Sequence, residues 1–265
     1  KLCNTVGAGM AEVGEYFVGP ATSGIDFTYL DSAMSAGILN GLQGVSVHPY
    51  RSVAPDTVLD NYVTLRALIE KHATSPGQSA LPILSGEWGY TTAVEPCTYG
   101  NKVTELTQAA YLARMWLTNT LAGMQVSINY DWSDGPGNAS ECEAHFGSVR
   151  WPPNTSVAVD PYVPKPKYVA AKTLQETLGN FDTFGQRVTP TQVEPSGIAT
   201  SEIFILQFDN VTNGSASTDD FGVGDGKCGY AVWTNATSDR VGNCSAPGHP
   251  SPPGWQRLDC GHLHI

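Results

Sequence analysis

The sequence predicts an α/β fold of parallel strand–helix units followed by a small all-β domain. Three runs carry that expectation: Gly44-Val-Ser-Val-His-Pro-Tyr50, Leu81-Pro-Ile-Leu-Ser-Gly-Glu-Trp-Gly-Tyr90 and Val126-Ser-Ile-Asn-Tyr-Asp-Trp132. Each is short and β-favouring, ends in polar and aromatic residues, and is followed by a loop and a helix-like segment. That is the βα unit of a parallel barrel, where the chemistry sits at the C-terminal ends of the strands. The second run is the most unusual, because a buried strand stops at a carboxylate, Glu87, between Gly86 and Trp88.

A chain of 265 residues can bury a large core, and 41% hydrophobic with 15% charged residues describes a globular protein. No apolar run approaches the roughly 20 residues of a membrane helix. A net charge of −11 with only 14 Lys and Arg argues against nucleic acid or an anionic membrane as partner. It suits a protein acting on neutral molecules. The six cysteines, Cys3, Cys97, Cys142, Cys228, Cys244 and Cys260, include no CxxC pair. Asn-x-Ser/Thr sites occur at Asn138, Asn154, Asn210, Asn213, Asn235 and Asn243, in polar stretches. Cysteines and sequons together favour an extracellular, secreted protein. Lys1 opens no signal peptide, as expected of a mature chain or a fragment.

In chain order, residues 1–14 fit no template, and Glu15–Gly19 reads as a strand closed by Gly19-Pro20. Asp26 can cap a helix running to about Gly37 with Phe27, Leu30 and Met34 on one face. After the strand ending at His48, Pro55-Asp56 opens a helix with Val58, Tyr62, Leu65 and Ile69 at helical spacing, which Pro76-Gly77 stops. After the strand ending at Glu87, a helix is expected over about Val103–Leu121, with Leu106, Ala109, Leu112 and Trp116 inward. A long loop, about Asp131–Pro166, precedes a last helix over Lys167–Leu178; loops of that length are usually functional. Beyond it, Phe181–Val188, Glu202–Phe208 and Tyr230–Thr234 alternate as strands. The expected domains are therefore 1–180 and 181–265, the second a small β-sandwich. Only four strand–helix units lie between Glu15 and Leu178, whereas a closed barrel needs eight. The remaining strands must come from elsewhere, or the chain is part of a longer one.

His48-Pro-Tyr-Arg51, Ser85-Gly-Glu-Trp-Gly-Tyr90 and Tyr130-Asp-Trp-Ser-Asp134 resemble the ends of strands six, seven and eight of clan A glycoside hydrolases, nearest to families 5 and 39. Glu143-Ala-His-Phe-Gly147 and Lys165-Pro-Lys-Tyr-Val-Ala-Ala-Lys-Thr-Leu174 extend the likeness into the final helix. The resemblance implies the C-terminal half, about strands 5–8, of a (β/α)8 TIM barrel followed by a small all-β sandwich. It also implies retaining hydrolysis of β-linked glycans, with no metal or organic cofactor. Glu87 takes the place of the nucleophile. Tyr50 and His48 would donate to it and line a sugar subsite with Tyr130. Trp132 would floor a sugar ring, and Trp88 would do the same or simply pack.

The clan's acid/base is a Glu directly after Asn at the end of strand four, and this chain contains no Asn-Glu dipeptide. Its partners are then an oligo- or polysaccharide and an N-terminal barrel half carrying that Glu, with no nucleic acid and no membrane span. The runner-up is a non-catalytic carbohydrate-binding or structural glycoprotein with a degenerate barrel. Arg51 reads equally as a site residue or a structural ion-pair partner, His145 as structural, and Glu141 and Glu143 as solvated acids. Cys260-Gly-His-Leu-His264 lacks the second cluster that zinc needs. Cys97 and Cys142 lie in loops after adjacent strands on one barrel face and are expected to pair. The connectivity of the other four stays open.

Overall fold

The computed structural model describes residues 2–151, 162–178, 203–209, 228–234 and 262–264. The chain divides into two compact units, Lys1–Ala171 and Lys172–Ile265.

The first unit is a mixed α/β fold around a parallel sheet. In chain order its elements are α1 (Leu2–Glu12), β1 (Val18–Ser23), α2 (Phe27–Ser35), β2 (Gly44–His48), α3 (Leu59–His72), α4 (Pro76–Ser79), β3 (Ile83–Trp88), α5 (Glu105–Leu121), β4 (Ser127–Asn129) and the start of α6 (Pro166–Leu178). The four strands run parallel in the order β1-β2-β3-β4. Every strand returns through a helix, the connection that parallel pairing requires. Val45 and Val47 of β2 and Ile83 and Trp88 of β3 pack with Leu30 and Met34 of α2, Tyr62, Leu65 and Ile69 of α3, and Leu112 and Met115 of α5. Each such burial removes about 1.5–3 kcal/mol of apolar surface from water. Asp26 caps α2 by accepting from the Tyr29 amide at 2.9 Å, and Thr104 caps α5 by accepting from the Thr107 amide at 3.1 Å. Both are single devices that end the helix's unpaired amides.

Three expectations are corrected. Residues 2–12 form α1, which Gly7 and Gly9 hide because glycine depresses helix propensity. Gly7 is there for contact: a Cβ on it would lie 1.9 Å from the Gly41 carbonyl oxygen, so α1 rests directly on the turn at Ile38–Gly41. The first strand starts later than Glu15 and runs through Pro20. Among the described residues it is an edge strand paired with β2, the place where proline's missing donor is tolerated, and the pairing steps over Ala21 between Pro20 and Thr22. On α5, Leu106 is 75% exposed, and the buried stripe instead includes Gln108 with Ala109, Leu112 and Met115. Gln108 earns that place by donating to the Tyr90 carbonyl at 2.7 Å.

In the second unit, β5 (Ile203–Asp209) and β6 (Cys228–Thr234) are antiparallel, and β7 (His262–His264) pairs parallel with β6. Two of the expected strands correspond to β5 and β6. Phe181–Val188, the remainder of the expected sandwich, Cys244, Cys260 and the sequons at Asn154, Asn210, Asn213, Asn235 and Asn243 lie outside the described residues. Among the described residues no helix is long and apolar enough to cross a membrane.

Gly7→Ala tests the α1 contact, because two effects oppose each other. Alanine improves a helix interior by up to about 1 kcal/mol. Overpacking against backbone costs about 1–3 kcal/mol. The clash should win, lowering the melting temperature by several degrees. Gly9→Ala, where an added Cβ meets nothing within 4 Å, should leave it unchanged or raise it. Equal responses in the two variants would refute the contact.

Candidate active site

The position of Glu87 depends on an irregularity in β3. Gly44, Ser46, His48, Leu84 and Gly86 share the sheet face away from the core, since a Cβ on Gly44 would meet Leu84 and one on Gly86 would meet Ser46 and His48. Strict alternation would then put Glu87 on the opposite face, among the core side chains. Between its pairs with β4, Ser85↔Ser127 and Trp88↔Asn129, β3 contains one residue more than its partner. A bulge of this kind re-aims a side chain. Trp88 enters the core and Glu87 turns out beside Tyr50. Gly89 then passes so close to β4's end that a Cβ would lie 2.0 Å from the Tyr130 carbonyl oxygen.

The Tyr50 phenol donates to Glu87 Oε1 at 2.7 Å, and His48 Nδ1 stands 3.9 Å from Glu87 Oε2. These groups open onto a cavity of about 590 Å³ at the C-terminal ends of the strands. Its walls include Tyr50, Arg51, Glu87, Tyr99, Tyr130 and Glu143. Phe146, which is buried, is the hub. The rings of Tyr50, Tyr99 and Tyr130 lie 6.2, 6.4 and 5.2 Å from its own. Their hydroxyls reach two carboxylates: Tyr50 donates to Glu87, while Tyr99 and Tyr130 donate to Glu143 at 2.7 and 3.3 Å. Burial, then the Glu87 bond, push Tyr50 well above the usual phenol range. The bond to Glu143 raises Tyr99, and burial and then the Glu143 charge push Tyr130 up to about 12. All three are therefore protonated donors at neutral pH. A second groove, about 530 Å³, lies on the helix layer around Phe27, Leu68 and the Asp31–Lys71 pair, away from the strand ends.

Two buried lysines hold the loop that carries Phe146. Lys165 Nζ bonds Asp134 at 3.0 Å and the Thr92 hydroxyl at 3.0 Å. Lys167 Nζ donates to the carbonyls of Phe146 at 2.6 Å and Tyr130 at 3.2 Å. A disulfide between Cys97 and Cys142, the pair expected from the sequence, ties this loop to the one bearing Tyr99. Cys3 is a free thiol.

Of the residues singled out in the sequence, Tyr50, Glu87 and Tyr130 line the cavity and His48 stands behind Glu87. Trp88 is fully buried with the Arg51 guanidinium 5.4 Å over its ring, so of its two readings it packs. Trp132 is 57% exposed, its ring set edge-on against Tyr168. Arg51 forms no ion pair with Asp56, which belongs to Arg114; it donates to Thr57, Asn61 and the Pro49 carbonyl and forms part of the cavity wall. His145 is structural, its ring against the Asn138 carbonyl at 2.9 Å. Asn138 itself is exposed, in a turn where its side-chain oxygen accepts from Ser140. Glu143 is exposed, as expected from the sequence, and its exposure is to the cavity, where two phenols donate to it. Tyr99 sits in an aperiodic loop and Glu143 in the short 3-10 turn at Cys142–His145, just before Phe146; their sequence signals are nearness to the two paired cysteines and, for Glu143 and Phe146, the Glu143-Ala-His-Phe-Gly147 run.

Neither protein-family models nor curated proteins match this chain. Among solved structures it is similar to a family 39 glycoside hydrolase from the gut symbiont Bacteroides cellulosilyticus WH2, at 21% identity and a TM-score of 0.54, over 80% of this chain and 38% of that one. The fold is glycosidase-like. It is also similar to a family 39 β-xylosidase from Caulobacter crescentus, at 18% identity and a TM-score of 0.41, over 74% of this chain and 38% of that one. A β-1,3-glucanosyltransferase of Rhizomucor miehei matches at 13% identity and 0.42, over 61% and 56%. The chain thus spans about two fifths of the length of the family 39 structures.

In this glycosidase-like unit the lysine contacts make a prediction about pH. Burial, and then the Lys165 charge, lower Lys167 from 10.5 to about 7. Between those values the unfolded chain holds the proton and the folded one does not, so stability rises with pH across that window. Below about 7 the whole cost of burying the charge remains. Compared with Lys167→Met, the wild type should gain stability in urea melts from pH 7 to pH 9.5, by up to about 1.4 kcal/mol per pH unit. A difference that stays constant would show that this amine does not titrate there.

Proposed function

We infer that this chain is the C-terminal half of the barrel of a retaining clan A glycoside hydrolase, close to family 39, acting on β-linked glycans. The observation that carries the reading is the 2.7 Å bond from the Tyr50 phenol to Glu87, formed at a strand's C-terminal end inside the cavity. A donated hydrogen bond orients a carboxylate for attack. Glu87 attacks the anomeric carbon, and a glycosyl ester forms as the leaving oxygen takes a proton from a second carboxyl group. That group, in its basic form, then activates the water that hydrolyses the ester, and the two carboxyls must stand about 5–5.5 Å apart. The second carboxyl belongs to an N-terminal barrel half. Exposed apolar side chains at both edges of the described sheet support such a partner: Tyr16 before β1 and Val18 at its start, Val126 before β4 and Ile128 within it. Trp132 at the end of β4 serves as a platform beyond the cavity. Secretion and glycosylation fit the disulfide and the exposed sequon at Asn138.

In the protein with its barrel completed, Glu87→Gln should lower the hydrolytic rate by at least about 10³ while leaving the melting temperature unchanged, because no other group forms the ester. Activity near that of the wild type would remove Glu87 from the mechanism. A completed barrel with no activity on any β-glycan would favour the non-catalytic carbohydrate-binding reading.

A further inference from the structure

The geometry points to Glu143 as the carboxylate that selects the sugar: it accepts hydroxyl hydrogens from a neutral, hydroxyl-rich glycan and excludes acidic sugars from the cavity. This rests on the glycan reading of the same site.

Glu143 shares the cavity with Glu87 but is held differently. Tyr99 donates to Oε1 and Tyr130 to Oε2. A carboxylate offers about four acceptor positions, so roughly two remain for a ligand. Among the described residues no Lys, Arg or His lies within ion-pair distance of it. The charge is oriented, solvent-facing and uncommitted to a cation. Both anchors are rigid. The Cys97–Cys142 disulfide immediately precedes Glu143 and lies two residues before Tyr99, and Phe146 fixes both phenol rings. A fixed carboxylate beside an aromatic wall suits neighbouring hydroxyls on one sugar ring, each donating a charge-assisted hydrogen bond.

The same geometry rejects anions. Two carboxylates face one cavity against one cation in its described wall, Arg51, three of whose five N–H groups already donate to Thr57, Asn61 and the Pro49 carbonyl while its plane lies over Trp88. With two negative groups to one positive among the described lining residues, a uronate or sulfated sugar would enter a field of its own net sign. Glu143 is thus a specificity residue, and the ester chemistry stays with Glu87.

The test titrates the intact protein with a panel of neutral β-linked trisaccharides of glucose, xylose, galactose and mannose, and with the C6-carboxylate form of the glucose compound, by calorimetry. The wild type should bind at least one neutral sugar, and the uronate at least about tenfold more weakly than its neutral counterpart. Glu143→Gln should weaken the neutral sugar by about tenfold or more, the range for losing hydrogen bonds to a charged group, and narrow the uronate gap. Tyr99→Phe, which frees Oε1 without removing the charge, should weaken the neutral sugar less and leave the gap intact. Glu143→Gln binding within twofold of the wild type, with the wild type binding a neutral sugar, would overturn this inference alone. Failure of the wild type to bind any sugar of the panel would overturn it together with the glycan reading.

Discussion

Two buried lysines, Lys165 and Lys167, carry the loop on which the strand-end cavity depends. Buried lysines are costly, and here each is tolerated because it answers groups that would otherwise be orphaned. Lys165 neutralises Asp134, which also accepts the Gly147 amide at 2.8 Å. Lys167 satisfies carbonyls of Phe146 and Tyr130. An unpaired buried acceptor costs about 1–3 kcal/mol, so the bonds each lysine donates offset part of the cost of its burial. From Phe146 the order passes outward: one ring positions three tyrosines, and the tyrosines position two carboxylates. Glu143 lies within this loop framework, whereas Glu87 comes from the sheet and meets it through the Tyr50 phenol.

Sheet and loops contribute differently. The sheet supplies Glu87, His48 and Tyr50 from the ends of β2 and β3, with a bulge deciding which way the carboxylate faces. The loops supply Tyr99 and Glu143, and they lack a ladder to fix them. The disulfide takes that role. Cys97 and Cys142 are 45 residues apart, and closing a loop of that length restricts the unfolded chain by about 4 kcal/mol in the chain-entropy account. A nucleophile on rigid strands and a recognition group on cross-linked loops is a division that allows specificity to change without disturbing the chemistry.

Much of this was legible in the sequence, for identifiable reasons. Short β-favouring runs marked β2 and β3 and the helical period marked α3, because their apolar side chains are buried where the pattern puts them; on α5 the period held for Ala109 and Leu112 but not for Leu106. The pattern Gly86-Glu-Trp-Gly89 marked a special strand end, and both glycines turn out to sit against neighbouring atoms. Other features left no local trace. The bulge that turns Glu87 outward depends on register with β4, which no single strand encodes. Gln108 was invisible to an apolar count, since its burial is justified only by the Tyr90 carbonyl. Glu143 looked like a solvated acid because Tyr99 is far from it in sequence and meets it only after the disulfide closes the two loops. The expected cysteine pair and the Glu143-Ala-His-Phe-Gly147 run beside it were the available clues, and following them together would have led to the second carboxylate.

The most direct test of Glu87 as nucleophile is covalent trapping. The protein with its barrel completed would be incubated with 2-deoxy-2-fluoro-β-glucosyl and β-xylosyl fluorides, reduced, digested and sequenced by mass spectrometry. Fluoride leaves as the carboxylate attacks, and the fluorine at C2 slows hydrolysis of the ester enough to isolate it. The expected result is a single fluorosugar adduct on Glu87, within the tryptic peptide spanning residues 72–102. A label on Glu143, or turnover of the glycosyl fluorides with no adduct at Glu87, would contradict the assignment of the nucleophile to the bulged end of β3.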